Sequence, residues 1–486
     1  MLFNSYIFVL AFLPLTVAGY FLLNRLKTSR WAHVFLLCMS LWFYAYFNLS
    51  YLPIILVSVC VNYGAYKVIN RAAGAARLLT VMAAVLFNIG VLFYFKYFDF
   101  FTENINVVFR ADFPLRHLLL PLGISFFTFQ QISFVIDAYK GKVGVYGILE
   151  YALFVTYFPQ LIAGPIVTHD ELVPQFQDEE KRRLNWDNFS RGLYIFALGM
   201  AKKVLLADTF GNAVNWGYAN IDQLDSVSAA AVMLFYTIQI YFDFSGYCDM
   251  AIGIGKMMNI DLPLNFNSPY KARTITEFWD RWHMTLTRFF TRYVYIPLGG
   301  SRKGRGRTYI NMMIVFLISG LWHGANWTFV LWGAVHGVFS VVTRHFQKFF
   351  DRLPGAVNWL VTFLFVNFAW VLFRADSIRD AGRLIGRIFS LEFTGLHSEI
   401  AECFNLNEFV VVTQQMGRYS VISLVPAFFC IVFTVLVMWL VLGSDNAYQK
   451  MKVFSPTLTR GVTCVILLVW CLVSFSGVST FLYFNF

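Results

Sequence analysis

Apolar runs recur along this chain almost from end to end, and most are close to the length of a helix that crosses lipid. The candidate spans are Ile7–Leu23, Trp31–Leu49, Tyr51–Tyr66, Leu78–Tyr97, Leu118–Ile136, Tyr151–Ile162, Leu193–Leu206, Ser226–Phe244, Ile310–Trp322, Trp327–Val342, Ala356–Leu372, Val421–Leu442 and Val462–Phe475. Hydrophobic residues make up 58% of the 486, and charged residues only 13%, which excludes a soluble protein of this size. Backbone in lipid must satisfy its own hydrogen bonds, so the fold class is an all-α polytopic membrane protein. Several runs fall short of the roughly 20 residues that a crossing needs. The expectation is about 10 to 12 transmembrane helices, with re-entrant or interfacial pieces among them.

Basic residues orient these spans. Arg25, Lys27 and Arg30 follow the first, Lys67, Arg71 and Arg77 the third, and Lys140 and Lys142 the fifth. The loop with Asp99, Glu103, Arg110, Asp112 and Arg116 is mixed, so the N-terminus is expected outside and the basic loops in the cytoplasm. The first span carries its charges after the apolar run, the reverse of a cleavable signal. The same bias accounts for the net charge of +11, so membrane lipid is the implied partner and nucleic acid is not. Seven cysteines without CxxC or Cys/His spacing imply neither a disulfide framework nor a metal site.

The middle of the chain differs in kind from its ends. LIAGPIV at 161–167, LGMAKKVLLAD at 198–208 and YFDFSGYCDMAIGIG at 241–255 put Gly, Pro and charge where a lipid-facing helix would avoid them. Broken or polar backbone at membrane depth is tolerated where protein covers it or where it lines a wet cavity. Residues 1–120 therefore read as scaffold helices, 121–375 as the functional core, and 376–486 as a late loop with further spans. The polar stretch Gly395–Ser420 is expected to be an exposed loop with a short helix.

Two histidines organise the core. His323 lies between tryptophan-rich apolar runs in FLISGLWHGANWTFVLWGAVHG, and His283 lies in EFWDRWHMTLTRFF. An ionisable side chain is costly to bury in a membrane, and imidazole both takes and gives a proton near neutral pH. Each also has a plain packing explanation among its aromatic neighbours. His336, in WGAVHG, is assigned to helix packing.

The run from Tyr241 to Gly337 resembles the signature region of the membrane-bound O-acyltransferase (MBOAT) family, and most closely its bacterial alginate O-acetyltransferase branch. SFFTFQQISFVIDAYKG at 125–141, FPQLIAGPI at 158–166, AKKVLLAD at 201–208 and FLYFNF at 481–486 support the resemblance. It implies an enzyme of the bacterial cytoplasmic membrane that moves an acyl group, acetyl in this branch, from a cytoplasmic thioester to an extracytoplasmic polysaccharide of the alginate, cellulose or peptidoglycan type. Acetyl-CoA or a phosphopantetheinyl carrier would be the donor, with no covalently bound cofactor. An exported or membrane-anchored acetyltransferase of SGNH type is the implied partner.

The family's essential WHG histidine maps onto His323, and its second position onto His283. An alcohol attacks a thioester only with a base at its hydroxyl, the role given to His323, while His283 supplies a donor to the oxyanion or orients the thioester. A covalent acyl-imidazole on His323 stays open. Asp243 and Ser245 either hold the imidazole in one tautomer or fasten helices together. Asn265 is expected to shape the loop into the His283 helix, and Trp322 to support the site. Arg302, Lys303, Arg305 and Arg307, with Lys202 and Lys203, are candidates for donor phosphate, against ordinary anchoring to lipid. Two alternatives remain: D-alanyl transfer from a carrier protein to teichoic acid, and a transporter or channel with a histidine proton relay. The two-histidine mechanism requires both side chains in one cavity near mid-membrane, ringed by Trp and Tyr and no more than about 12 Å apart.

Overall fold

The computed structural model describes residues 1–404, 425–477, 481 and 482, and among these the chain is helical with no strand. Leu49–Arg71, Gly74–Phe109, Ser226–Met257, Gly355–Arg374 and Pro426–Gly443 are each long and apolar enough to cross a membrane. Phe8–Asn24 and Leu458–Val473 are shorter apolar helices. The chain is a multi-pass, all-α membrane protein.

The helices that position the site run in this order. Gly74–Leu92 (α1) passes through a π-helical turn, Phe93–Tyr97, into Phe98–Phe109 (α2). Ile124–Tyr139 (α3) follows, then Trp186–Ala201 (α4), which ends in a second π turn at Lys202–Ala207. Ser226–Met257 (α5) is the longest element. Two short helices, Ile275–Arg281 (α6) and Met284–Phe290 (α7), precede the antiparallel pair Arg305–His323 (α8) and Trp327–His345 (α9). Gly355–Arg374 (α10) packs on α5 and α9.

Contrary to the expectation of a break at 241–255, α5 is one continuous 32-residue helix. Asp225 caps it, accepting from the Ser228 N–H at 2.8 Å. Its glycines are contact points rather than interruptions. A Cβ on Gly199 would lie 2.6 Å from the Gly246 carbonyl oxygen, and one on Gly192 would lie 2.5 Å from that of Gly253. Each pair is spaced by seven residues, two helical turns, so one small-residue stripe on α4 meets its counterpart on α5 backbone to backbone. The carboxylates on α5 are paired by α4's π turn. Lys203 bonds Asp243 at 2.6 Å and Asp208 at 2.8 Å, and Lys202 bonds Asp249 at 2.6 Å.

The segment 161–167 is broken as its sequence suggests. Ile148–Thr156 and the four-residue helix Phe158–Leu161 meet at Tyr157, and residues 162–167 leave the helix while staying buried. Of the late polar stretch, Ser398–Glu402 forms the short helix, and 405–420 lie outside the described residues. So do 483–486 of the C-terminal motif, although the Leu482 N–H donates to Asp243 at 3.0 Å.

Candidate active site

His283 sits between α6 and α7 with its backbone in the left-handed region, φ 47° and ψ 50°. That conformation is uncommon for a residue with a Cβ, though histidine adopts it more readily than most. Asn265 secures it. Its backbone carbonyl accepts from the Met284 N–H at 2.9 Å, and its side-chain Oδ1 accepts from the Thr285 N–H at 3.2 Å and the Thr285 hydroxyl at 2.9 Å. The same Oδ1 lies 3.1 Å from His283 Nδ1. The Ile166 N–H donates to Thr285 Oγ1 at 2.9 Å, so the broken segment 161–167 buttresses this turn.

The hydrogen-bond chemistry fixes the tautomer. A backbone N–H only donates, so the Asn265 atom facing Thr285 is oxygen. That oxygen only accepts, so the ring proton is on Nδ1 and the lone pair of the neutral ring is on Nε2. In that tautomer the acceptor atom of the neutral ring is Nε2, which suits the second of the two expected roles, orienting the thioester, better than the first, donating to the oxyanion.

His323 is the last residue of α8, and Gly324 follows with extended backbone, φ −163° and ψ 149°. A Cβ on Gly324 would collide with the Phe329 ring, and one on Gly320 with the Phe329 carbonyl. The WHG sequence thus turns the chain tightly enough to lay α9 against α8. Both imidazoles are buried, and their ring centroids are 6.4 Å apart, so the two histidines share one site. Trp322 stands beside both, 4.9 Å from His323 and 6.1 Å from His283. Its indole nitrogen is buried without a hydrogen-bond partner among the described residues.

Among the described residues, the rings packed on the pair are those of Trp and Phe rather than Trp and Tyr. Trp332 and Phe373 pack on His323 at 5.2 and 5.1 Å, and Phe244 on His283 at 4.8 Å. Tyr241 and Tyr270 lie one layer out, against Trp282. His336 is fully buried in the same aromatic cluster, 4.7 Å from Trp332 and 5.1 Å from Trp279.

The remaining residues singled out from sequence are placed elsewhere. Asp243 is taken by Lys203 and the Leu482 N–H, and Ser245 accepts from Lys202 at 3.4 Å. Of the two expected alternatives for Asp243 and Ser245, these contacts match the fastening of α5 to α4; the side chain beside a histidine Nδ1 is Asn265, at His283. Lys202 and Lys203 lie on the α4–α5 seam, where they pair with Asp249 and with Asp243 and Asp208. Arg302, Lys303, Arg305 and Arg307 are exposed around the start of α8. Helical rise puts Arg305 and Arg307, the two that lie within the helix, about 27 and 24 Å from His323 along it.

A depression nearer the histidines was not singled out from sequence. Its volume is about 390 Å³, and Trp279, Asp280, Met284, Thr285, Arg288 and Arg292 help to line it. Thr285 joins it to Asn265 and hence to the back of His283. Arg288 pairs with Glu171 at 2.5 Å, and Arg292 with Asp137 at 3.0 Å. Burial and the neighbouring Glu277 raise the Asp280 carboxyl above its ordinary range. A larger groove of about 1530 Å³ lies on the flank, between Val9–Arg25 and the α4 face around Phe189, and neither histidine lines it.

Lys96 was also missed. It lies in the π turn between α1 and α2 and bonds the carbonyls of Trp322 at 2.5 Å and His323 at 3.3 Å. A single cation inside the apolar run VLFYFKYFDFF is the sequence signal that marks it.

Residues 63–376 match the model of the membrane-bound O-acyltransferase family. The chain is 39% identical to a peptidoglycan O-acetyltransferase of Helicobacter pylori over 521 aligned positions, covering all of this chain and 98% of that protein. It is 37% identical to a probable alginate O-acetylase of Pseudomonas aeruginosa, covering 88% of this chain and 81% of that one. A teichoic acid D-alanyltransferase of Bacillus subtilis is 26% identical over 60% of this chain and 76% of its own length.

Proposed function

The chain belongs to the membrane-bound O-acyltransferase family and is an acyltransferase, and we propose that it carries acetyl from a cytoplasmic thioester toward the hydroxyls of an extracytoplasmic polysaccharide. The observation that carries this assignment is the pair of buried imidazoles 6.4 Å apart, one with its tautomer set by Asn265. Peptidoglycan is the acceptor class we favour, because the similarity to a peptidoglycan O-acetyltransferase runs the whole length of both chains. Alginate-type polymer is second, and D-alanyl transfer has only the weaker, partial similarity behind it.

In this mechanism His323 takes the proton of the attacking hydroxyl as its oxygen bonds to the acetyl carbon. The C–S bond then breaks, and the leaving thiolate recovers that proton from the imidazolium. His283 Nε2 accepts a hydrogen bond from an amide N–H of the pantetheine arm and so orients the thioester. The unpartnered indole N–H of Trp322 fits the remaining task, donating to the oxyanion that forms on the acyl carbon. The donor is acetyl-CoA or an acetylated carrier thiol, and Arg288 and Arg292 offer it cationic groups beside the depression. Delivery to the polymer proceeds through a separate exported acetyltransferase of SGNH type. Residues 121–375 form the working core within the bacterial cytoplasmic membrane, with the N-terminus outside.

Purified protein in liposomes with labelled acetyl-CoA inside, and an acceptor or the partner enzyme outside, tests this. His323→Ala is expected to lower transfer by about 10²–10⁴-fold without loss of folded protein. Trp322→Phe is expected to lower kcat by about 10²–10³-fold with donor KM unchanged. Retention of more than about a tenth of turnover by His323→Ala removes that residue from the chemistry.

A further inference from the structure

The C-terminal end of α8 owes its position to two residues from a distant part of the chain. The last four carbonyls of a helix have no intrahelical partner. In α8 the Gly324 N–H takes that of Gly320, which leaves Leu321, Trp322 and His323. The Tyr97 hydroxyl donates to the Leu321 carbonyl at 2.9 Å. Lys96 Nζ donates to the Trp322 and His323 carbonyls at 2.5 and 3.3 Å, and to the Ser125 hydroxyl at 3.2 Å. An ammonium has three N–H bonds, and here three acceptors surround it. The cation also lies 5.7 Å from the centre of the Trp322 ring.

The placement is deliberate in physical terms. Lys96 belongs to a 36-residue apolar helix, Gly74–Phe109, where a charge is costly. Uncharged caps are available to any helix end, and glycine or asparagine would serve. What a fixed cation adds is a rigid electrostatic anchor at the negative end of the helix. The π turn at Phe93–Tyr97 makes this possible, because its wider winding lets the adjacent residues Lys96 and Tyr97 both reach α8.

We propose that Lys96 is the positioning residue of the acyl-transfer site: through hydrogen bonds to their two carbonyls, with a third to Ser125 that fixes the ammonium, it locks the backbone of Trp322 and His323, and with it the depth and direction of both side chains. The proposal rests on the acyltransferase assignment of the same site. It makes the N-terminal helices part of the site's construction rather than a passive scaffold. Lys96 touches no reacting atom, since its donors are all engaged with the protein.

The test uses the full-length protein in detergent and in liposomes. Lys96→Met is expected to fold and extract like the natural protein while kcat falls about 10²-fold, the cost of a displacement of about 1 Å at a reacting group. Donor KM should stay within about twofold, because the thioester's own contacts are untouched. Lys96→Arg, which restores a cation with several donors, should recover much of the loss. If Lys96→Met folds poorly, Lys96→Gln keeps two donors without the charge and should show the same kcat-against-KM split. Natural kcat in Lys96→Met or Lys96→Gln overturns the proposal, as does a loss that only follows the loss of folded protein. These outcomes are separable from failure of the mechanism itself. Activity surviving in His323→Ala defeats the base assignment, whereas an inactive His323→Ala beside a fully active Lys96→Met defeats only the role of Lys96.

Discussion

At the scale of single residues, the identities proposed to do chemistry are legible because their side chains are costly anywhere else. His323 and His283 stand out as imidazoles among aromatics, and the structure brings them together with Trp322. Their partners are less legible. Lys96 is 227 residues from His323, and nothing local in VLFYFKYFDFF says which helix end that ammonium meets. Asn265 shows the same limit: its sequence suggests a loop former, while the fold aims its one oxygen at three donors of the His283 turn. This makes a sharp prediction. Asn265→Leu removes the acceptor that holds the proton on His283 Nδ1, and a ring free to take the other tautomer is expected to lose up to about 10⁴-fold in kcat, as when a catalytic imidazole loses its orienting partner. Asn265→Asp keeps an acceptor at that place and should retain far more activity. Equal activity in the two variants, measured with the same liposome assay, would mean that the tautomer of His283 is irrelevant.

At the scale of elements, polarity inside a span reads from sequence as a break, yet in α5 it proves to be a seam. Asp243 and Asp249 lie 40 and 47 residues from the lysines that neutralise them, too far for any local pattern to show the pairing. The π turns are equally hidden. Those at Phe93–Tyr97, Lys202–Ala207 and Thr291–Tyr295 each carry a cation that bonds to a neighbouring element: Lys96 to α8, Lys202 and Lys203 to α5, and Arg292 to Asp137 on α3. The glycine spacing, by contrast, was open to view in the sequence, and its meaning is now testable. Gly199→Val would drive a branched side chain into the Gly246 carbonyl and the Met250 N–H, which sit 2.6 and 2.8 Å from an ideal Cβ. Neither backbone atom can yield as a flexible side chain would, so the cost is expected to reach or exceed the upper end of ordinary overpacking, about 3 kcal/mol. Thermal unfolding in detergent should report it. Gly461→Val, with open space around its Cβ, is the control and should melt like the natural protein.

At the scale of the whole molecule, the all-helical membrane architecture is legible from hydropathy alone, whereas the route proposed for a thioester donor is not. Charge density pointed to Arg302, Lys303, Arg305 and Arg307, but these are exposed around the basic end of α8 while His323 is at its other end. The depression at Arg288 and Arg292 is smaller in charge but closes on Thr285, which shares the Asn265 oxygen with His283. If the thioester arm enters there, Arg288 and Arg292 are the cations that its phosphates meet, and both are already held in place by carboxylates, Glu171 and Asp137. Burial alone would raise the Asp137 carboxyl, but His169, Tyr293 and Arg292 together hold it below its ordinary range, so it stays ionised and keeps Arg292 in position. Charge reversal at Arg288 should therefore raise donor KM by about 10-fold or more, the loss of one charge-assisted bond to phosphate, with kcat changed little. The same reversal at Arg302, Lys303, Arg305 and Arg307 should leave donor KM close to its natural value and alter membrane insertion instead. A rise in KM confined to the second set would move the entrance to the start of α8, and would require the acyl group to travel the length of that helix before it meets either histidine.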